Sequence, residues 1–488
     1  MTSEGFDCKM ETKDLVGLAL IVFAVPVSVL VCCVSQRARD AAFFLMAAGV
    51  VLTEKLDINF VSRYWYRGTT RGFEFTFIDI LALGVLLGSV LLPRPGQSRW
   101  FWPASLGALL LYLFYGCFSV AISEPKLFGL FELSKILRGI MVFLAAAWFV
   151  RSERELAILV LASSCAVCFE GALAVKQHVL GGVYRVPGSL DHSNSLCAYL
   201  CLAGPVLVAA ATSNLPRLVR WLSALAIAAA GVSIVLTISR AGIPIFALVT
   251  LGATAFCISW RITLKKVAVT ALVGLVTAGL LFKSWHLLAD RFGQASLEQE
   301  FLDEHSEGRG MYLRQARAIV EDRFFGVGLN NWSYWVSKQY GGKLGERYED
   351  YDDIAYSPSK EILPSINYAA PAHNLGALTV GELGWPGLVI FTWLWLRWLQ
   401  MGNSFLWARS PEALHRLGVG FFFGTCGVFL QSLTEWVYRQ TQVLFSVHVM
   451  VGALASLYYL KRQKRRRALQ PQPRPCLTSA AFEPARGS

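Results

Sequence analysis

Apolar residues in this chain are grouped in long blocks, and this grouping limits the fold more than any other feature. The blocks run for roughly 17 to 25 residues, the length that a helix needs to cross the hydrocarbon core of a bilayer. Ten-residue segments of alternating hydrophobicity, which are typical of outer-membrane barrels, are absent. Hydrophobic residues make up 55% of the sequence and charged residues 16%. We therefore predict an all-α polytopic membrane protein, because helices satisfy their own backbone polar groups in lipid.

The blocks predict about 12 to 13 transmembrane helices, the second of them short. The candidate spans are 14–34, 40–53, 75–92, 100–122, 134–150, 156–175, 193–212, 220–238, 241–259, 267–285, 376–398, 416–433 and 441–460. The first block follows an acidic start, which favours a retained helix over a signal peptide.

Four regions follow from the spacing of these blocks. They are transmembrane helices with short loops over 1–285, one large loop over 286–373, C-terminal transmembrane helices over 374–460 and a basic tail over 461–488. The end of the tail is rich in Pro, Gln and Ala and has no periodic apolar face, so we expect it to be disordered.

Lysines and arginines in the short connections predict the orientation. They fall on every second connection, and cytoplasmic loops are enriched in these residues. The basic connections carry Arg37 and Arg39, Arg94 and Arg99, Arg151 and Arg154, Arg217 and Arg220, Arg261 with Lys265 and Lys266, Arg409 and Arg416, and Lys461 to Arg467. The pattern places the C-terminus in the cytoplasm and the 286–373 loop outside. The net charge of +12 then reflects cytoplasmic anchoring, and no nucleic-acid partner is expected.

Two arginines lie on connections of the expected outer face. Arg185 precedes a predicted span within the segment 184–194, and Arg240 lies on the short turn 237–242. One interpretation is snorkelling, in which the guanidinium groups reach lipid headgroups. The positive-inside rule disfavours arginine on this face, however, and a planar guanidinium suits bidentate contact with a diphosphate. The sharper hypothesis is therefore a clamp for a lipid diphosphate.

His373 is the main catalytic candidate. It stands between Ala372 and Asn374, just before a predicted span. A histidine at such a position is often a packing or capping residue, and Asn374 is the better helix cap. An imidazole also accepts a proton near neutral pH, and the two arginines lie on the same expected face. Glu382, about two helical turns further on, is a second candidate because ionisable groups inside spans are usually functional.

The large loop contains two further patterns. Gly308-Arg309-Gly310 opens a short amphipathic segment that ends in the glycine-containing sequence 324–332. These glycines predict a sharp turn at which two backbones approach closely. The acidic and tyrosine-containing run 346–353 is typical of a solvated loop face, with a Ca²⁺ or Mg²⁺ site as the alternative. Because EF-hand spacing is lacking, no metal site is predicted.

The order of these motifs resembles the O-antigen ligase and Wzy-type polysaccharide polymerase superfamily. The motifs are Arg185 to Asn194, Thr237 to Arg240, Gly308-Arg309 with Phe325 to Leu329, and Ala372 to Asn374 with Gly381 to Gly387. The resemblance covers the region from about residue 130 to about residue 400. It implies a GT-C-like fold in the bacterial inner membrane, with the active site facing the periplasm.

The resemblance also implies an activity, namely that of a metal-independent, inverting glycosyltransferase that needs no cofactor. The donor would be a glycan on undecaprenyl diphosphate. The acceptor would be a sugar hydroxyl of another lipid-linked repeat unit or of lipid A core, or a protein hydroxyl as in some relatives. A chain-length regulator and a flippase are further candidate partners, together with the lipid bilayer.

The matching motifs carry over to particular residues of this sequence. His373 would act as the general base or orient the acceptor. Arg185 and Arg240 would bind the diphosphate, and Arg309 would be a third contact. Asn374 and Glu382 would support the site.

Several functions remain open. We favour a polymerase of exopolysaccharide or O-antigen repeat units, with O-antigen ligase as the alternative. Arg317 and Gly328 have a spacing found in polymerases, but arginine and glycine are too common for this spacing to decide between the two. A transporter or flippase of lipid-linked sugars would need charged or broken helices near the bilayer midplane. The polar residues collect at one surface instead, with Asp79 and Glu170 as exceptions. A purely structural subunit would leave the outward arginines unexplained.

Overall fold

The structure, a computed structural model, describes residues 12–257, 310–351 and 367–469, apart from a few single positions. Seven of the described helices are long and apolar enough to cross a bilayer, and three shorter apolar helices accompany them. The predicted all-α polytopic membrane class is therefore confirmed. The predicted span 267–285 lies outside the described residues.

The helices up to residue 257 form the larger part of the bundle. They are α1 (Thr12–Ala19), α2 (Val25–Val34), α3 (Gln36–Gly49), α4 (Phe77–Leu91), α5 (Leu106–Ile122), α6 (Lys126–Phe149), α7 (Glu153–Val179), α8 (Ser193–Thr212), α9 (Arg217–Leu236) and α10 (Gly242–Cys257). A π-helical turn, Leu20–Ala24, joins α1 to α2, and a 3₁₀ helix, Val50–Lys55, follows α3.

The remaining helices follow in the described C-terminal ranges. They are α11 (Gly310–Asp322), α12 (Trp332–Trp335), α13 (Gly341–Lys343), α14 (Leu375–Asn403), α15 (Ala413–Ser432) and α16 (Thr441–Leu469). A π-helical turn, Val336–Tyr340, lies between α12 and α13, and a 3₁₀ turn, Val437–Arg439, lies between α15 and α16.

Two observed helix limits differ from the sequence prediction by more than the others do. Helix α6 begins at Lys126 and not near residue 134, because Lys135 and Arg138 form ion pairs inside the protein and need no loop position. Helix α16 continues to Leu469, beyond the predicted end near residue 460. Lysine and arginine are good helix formers, and their charge is favourable in the last turn of a helix.

A small antiparallel hairpin lies between α3 and α4, where the sequence predicts only an outer connection. Strand β1 (Asp57–Phe60) pairs with β2 (Phe73–Thr76), with Asp57 opposite Thr76 and Phe60 opposite Phe73. The strands are joined by residues 61–72, which form the hairpin loop. Four-residue strands are too short to give a clear alternating pattern, which is why sequence reasoning missed them.

Helix α8 is the most deeply buried of the described helices and packs against α9, α10 and α15. Its contact with α15 depends on small residues. A Cβ atom at Gly424 or Gly427 would overlap the backbone of α8 at Leu202 or Cys201. Small residues at such spacing allow transmembrane helices to approach closely in lipid.

Candidate active site

Four connecting segments at one end of the bundle line an open cavity of about 630 Å³. The hairpin loop, the segment before α8, the segment before α14 and the connection between α15 and α16 each contribute lining residues. This volume is in the range of small-molecule binding pockets. Both Arg185 and His373 line the cavity, so two predicted site residues from distant parts of the chain meet here.

His373 is held by a carboxylate. Its Nδ1 atom lies 2.6 Å from Oε2 of Glu435, and the His373 side chain is 41% exposed whereas that of Glu435 is 9% exposed. The ring of Tyr312 lies 5.6 Å from the His373 ring, centroid to centroid. A histidine whose Nδ1–H is donated to a carboxylate carries its lone pair on Nε2, and the carboxylate stabilises the ring after it gains a proton.

Asn374, the residue after His373, anchors the backbone at the start of α14. Its Oδ1 accepts a hydrogen bond from the backbone nitrogen of Ala377 at 2.9 Å, which makes it the N-cap of α14 as predicted. Its Nδ2 donates to the carbonyl oxygen of Leu433, also at 2.9 Å. This second bond ties the segment before α14 to the connection that carries Glu435.

Asn194 links the His373–Glu435 pair to Arg185. Its Nδ2 donates to Oε1 of Glu435 at 2.8 Å, and its Oδ1 accepts from Nη2 of Arg185 at 3.1 Å. Nε of Arg185 donates to the carbonyl oxygen of Thr237 at 3.4 Å. The imidazole, carboxylate, amide and guanidinium therefore form one continuous hydrogen-bonded chain, which holds each side chain in a fixed orientation.

Arg240 lies on the turn next to this chain. Its neighbour Ser239 donates a hydrogen bond from Oγ to Oδ1 of Asn194 at 3.2 Å, so the turn adjoins the Arg185 segment. Arg240 is half-buried and, among the described residues, is not part of the cavity lining. The third predicted arginine, Arg309, lies outside the described residues.

Glu382 belongs to a separate, buried set of charges. Its Oε2 lies 2.9 Å from Nη2 of Arg439, whose Nε lies 2.7 Å from Oε1 of Glu132. Lys135 lies 2.8 Å from the other oxygen of Glu132. All four side chains are at most 2% exposed. None of these four residues is among those that line the cavity, so the structure does not bring Glu382 together with His373 and Arg185 there.

The predicted glycine turn packs directly against the start of α14. Gly326 and Gly328 have φ angles of +78° and +103°, and the Gly328 nitrogen donates to the Glu382 carbonyl oxygen at 2.8 Å. Gly384 has a φ of +66° and interrupts the helical backbone of α14. A Cβ at Gly384 would overlap the carbonyl oxygen of Phe324. The close approach of two backbones, predicted from the glycines alone, is confirmed.

Comparison with known protein families bears on the same region. Residues 224–392 match the family model described as O-antigen ligase. The match confirms the predicted resemblance to the O-antigen ligase and Wzy-type superfamily, and it indicates a membrane enzyme of the ligase or polymerase type. It contains Arg240 and His373 and leaves out Arg185 and Glu435. A search of curated proteins found no match.

Among the described residues, no three carboxylate, imidazole or thiolate side chains converge as a metal site requires. The predicted acidic run 346–353 is described only in part. Its Tyr351 is buried and stacks on Tyr368 with ring centroids 4.1 Å apart.

Sequence reasoning missed three charged side chains that line the cavity, namely Glu435, Arg67 and Arg71. Glu435 lies between two predicted spans on the expected outer side, and this location alone could have made it a candidate site residue. Nothing in the sequence shows that it reaches His373. Arg67 and Arg71 lie in the hairpin loop, whose fold the sequence did not predict.

Proposed function

We propose that the protein is a membrane glycosyltransferase that polymerises oligosaccharide repeat units carried on undecaprenyl diphosphate. The observation that carries this proposal is the hydrogen-bonded chain from His373 through Glu435 and Asn194 to Arg185. It joins a candidate base to a candidate anion-binding group within one cavity of about 630 Å³.

His373 would activate the acceptor. Nε2 takes the proton of the incoming sugar hydroxyl while the hydroxyl oxygen forms a bond to the anomeric carbon of the donor glycan. Glu435, 2.6 Å from Nδ1, stabilises the positive charge that develops on the ring. General base catalysis of this kind contributes a factor of about 10² to 10⁴ in rate.

Arg185 and Arg240 would assist departure of the lipid diphosphate. The bond between the anomeric carbon and the diphosphate oxygen breaks as negative charge grows on that oxygen. Preorganised guanidinium groups stabilise such charge, and the neutral partners of Arg185, Asn194 and the Thr237 carbonyl, leave its positive charge available. This arrangement supports a metal-independent reaction, and attack from the face opposite the diphosphate would invert the anomeric centre.

The location of the cavity supports a periplasmic site in the bacterial inner membrane. The connections that carry Arg185 and His373 are those that the distribution of Lys and Arg assigns to the outer face. Lipid-linked donor and acceptor would both reach this site from the bilayer, after a flippase has delivered them and with a chain-length regulator controlling their use.

O-antigen ligase is the second candidate function, because the family model that matches residues 224–392 carries that description. A ligase would use the same base and the same diphosphate-binding arginines. The two functions differ only in the acceptor, which is lipid A core for a ligase and another lipid-linked repeat unit for a polymerase.

Glycan analysis of a deletion strain tests the proposal. Single unpolymerised repeat units in the deletion strain are expected for a polymerase, and full-length polymer that is not joined to lipid A core indicates a ligase. A normal glycan profile would refute both. Transfer from a purified lipid-diphosphate donor should persist in EDTA, and a requirement for divalent metal would overturn the metal-independent mechanism.

A further inference from the structure

The hairpin loop brings two more arginines to the cavity. Arg67 and Arg71 both line it, together with Gly68 between them. Arg63 lies in the same loop and is not part of this lining among the described residues. The loop thus directs two of its three arginines to the wall of the candidate active site.

These two guanidinium groups have no carboxylate partner within the described ranges. The acidic side chains of the cavity are engaged elsewhere, since Asp191 forms an ion pair with Lys55 at 2.6 Å and Glu435 binds His373. Arg67 donates from Nη1 to the carbonyl oxygen of Tyr368 at 3.3 Å, a neutral acceptor. The cavity therefore has positive charge that the described protein does not neutralise, which favours an anionic ligand.

The loop is held rigidly on the protein. Tyr66 is fully buried and stacks on Phe128 with ring centroids 3.7 Å apart. The side chain of Asn330 accepts from the Thr69 nitrogen at 2.8 Å and donates to the Thr70 carbonyl oxygen at 2.9 Å. A preorganised loop loses little conformational entropy on binding, so its charges are effective in recognition.

Arg67 and Arg185 are connected to His373 through different parts of the protein. Arg185 is joined to His373 through Asn194 and Glu435, whereas Arg67 binds the backbone of Tyr368 on the segment that leads to His373. The cavity thus has two arginine-bearing walls, one with Arg185 and the other with Arg67 and Arg71, and His373 lines the same cavity.

We propose that Arg67 and Arg71 bind an anionic group of the acceptor substrate, a phosphate or a carboxylate. This inference rests on the proposed glycosyl transfer, in which the Arg185 wall takes the leaving diphosphate of the donor. Only the second substrate is left to occupy the second wall. A polymerase acceptor supplies such a group through its own lipid diphosphate, and an acidic sugar supplies it through a carboxylate.

The test uses the full-length protein in lipid nanodiscs with two probes, farnesyl diphosphate and methyl glucuronide, and measures binding by calorimetry. In the wild type we expect one site that depends on Arg185 and a second that depends on the hairpin loop. The variant R67Q/R71Q should weaken the second site roughly 10- to 100-fold, the usual effect of losing charge-assisted hydrogen bonds, and leave the first unchanged. R67K/R71K should retain part of the affinity, since the charge remains.

R63Q is the matched control, because it removes the same charge from the same loop outside the cavity lining. If R67Q/R71Q weakens the binding of farnesyl diphosphate at the second site, the ligand of the hairpin loop is a lipid diphosphate. If the variant weakens the binding of methyl glucuronide instead, the ligand is a carboxylate. The inference is overturned if neither probe binds in a manner sensitive to R67Q/R71Q, or if R63Q has the same effect. Farnesyl diphosphate binding that R185Q does not weaken would refute the proposed function instead.

Discussion

Nδ1 of His373 and Oε2 of Glu435 lie 2.6 Å apart although 62 positions separate the two residues in the sequence. The pair joins the segment before α14 to the connection before α16, and Asn374 reinforces this junction through its bond to Leu433. The orientation of His373 thus depends directly on a second side chain from a distant part of the sequence.

Replacing either member of this pair should slow glycosyl transfer. We expect His373→Ala to reduce the rate by about 10² to 10⁴, because the general base is lost. Glu435→Gln keeps the shape of the side chain and removes its charge, so a loss of roughly 10- to 100-fold is expected from the weaker charge-assisted bond. The measurement is transfer by purified protein from a lipid-diphosphate donor, compared at equal amounts of folded protein.

A structural role for Glu435 makes a different prediction from a catalytic one. If the carboxylate only stabilises the fold, E435Q should lower the melting temperature and change the rate little after correction for unfolded protein. If the carboxylate assists catalysis, E435Q should lower the rate even after correction for unfolded protein. The pH dependence of the rate should also differ between wild type and E435Q.

Arg185 and Arg240 should differ from surface arginines in their effect on the donor. Substitution of either by Gln is expected to lower the rate of transfer by roughly 10- to 100-fold, because the leaving diphosphate loses a charged donor. Lysine should restore activity only in part, since an ammonium lacks the planar fork that binds a diphosphate in a bidentate manner. R63Q serves again as the control, and equal losses in R63Q and R185Q would contradict a specific diphosphate contact.

The sequence predicted the helices well and the site only in part. Apolar blocks set the membrane class and most helix limits because a bilayer requires uninterrupted helical backbone. Arg185 and His373 could be predicted because they stand out on connections of the expected outer face. The link between them through Asn194 and Glu435 could not be predicted, because it depends on which outer connections pack together. Apolar periodicity carries no information on that packing.

Glu382 illustrates the same limit. The sequence shows an acidic residue inside an apolar helix, which makes it a functional candidate by default. The structure pairs it with Arg439, and that arginine lies on a short turn whose inward direction no periodic pattern predicts.

Gly384 should be sensitive to substitution by alanine. Its φ of +66° is unfavourable for a residue with a side chain, and the added Cβ would overlap the carbonyl oxygen of Phe324. We expect a loss of at least about 1 to 3 kcal/mol in stability. Gly342→Ala is the control, because a Cβ there has no neighbour within 4 Å. Thermal unfolding in detergent measures both, and an unchanged melting temperature for G384A would contradict the strained turn.

Asp57 should make stability depend on pH. Burial, with a contribution from Glu74, raises the pKa of Asp57 from 3.8 to about 6. The folded protein therefore holds this proton more tightly than the unfolded chain, so this group destabilises the fold increasingly as pH rises from about 4 to about 6. Asp57→Asn should remove this dependence and raise the melting temperature at pH 7, whereas the exposed substitution Glu349→Gln should do neither. The comparison requires melting curves at pH 5 and pH 7.

Arg439 should be the most damaging of these positions for stability, because it holds two buried carboxylates together. Arg439→Met fills a similar volume but leaves Glu132 and Glu382 without their shared cation, and breaking such a buried pair costs about 3 to 5 kcal/mol. The exposed pair between Lys464 and Glu412 is the control, since Lys464→Met should cost no more than about 1 kcal/mol. Adding Glu382→Gln to R439M should recover part of the loss by removing one buried charge. The measurement is the melting temperature of the wild type, R439M, K464M and the double variant. Equal effects of R439M and K464M, or no recovery in the double variant, would show that the network does not stabilise the fold in this way.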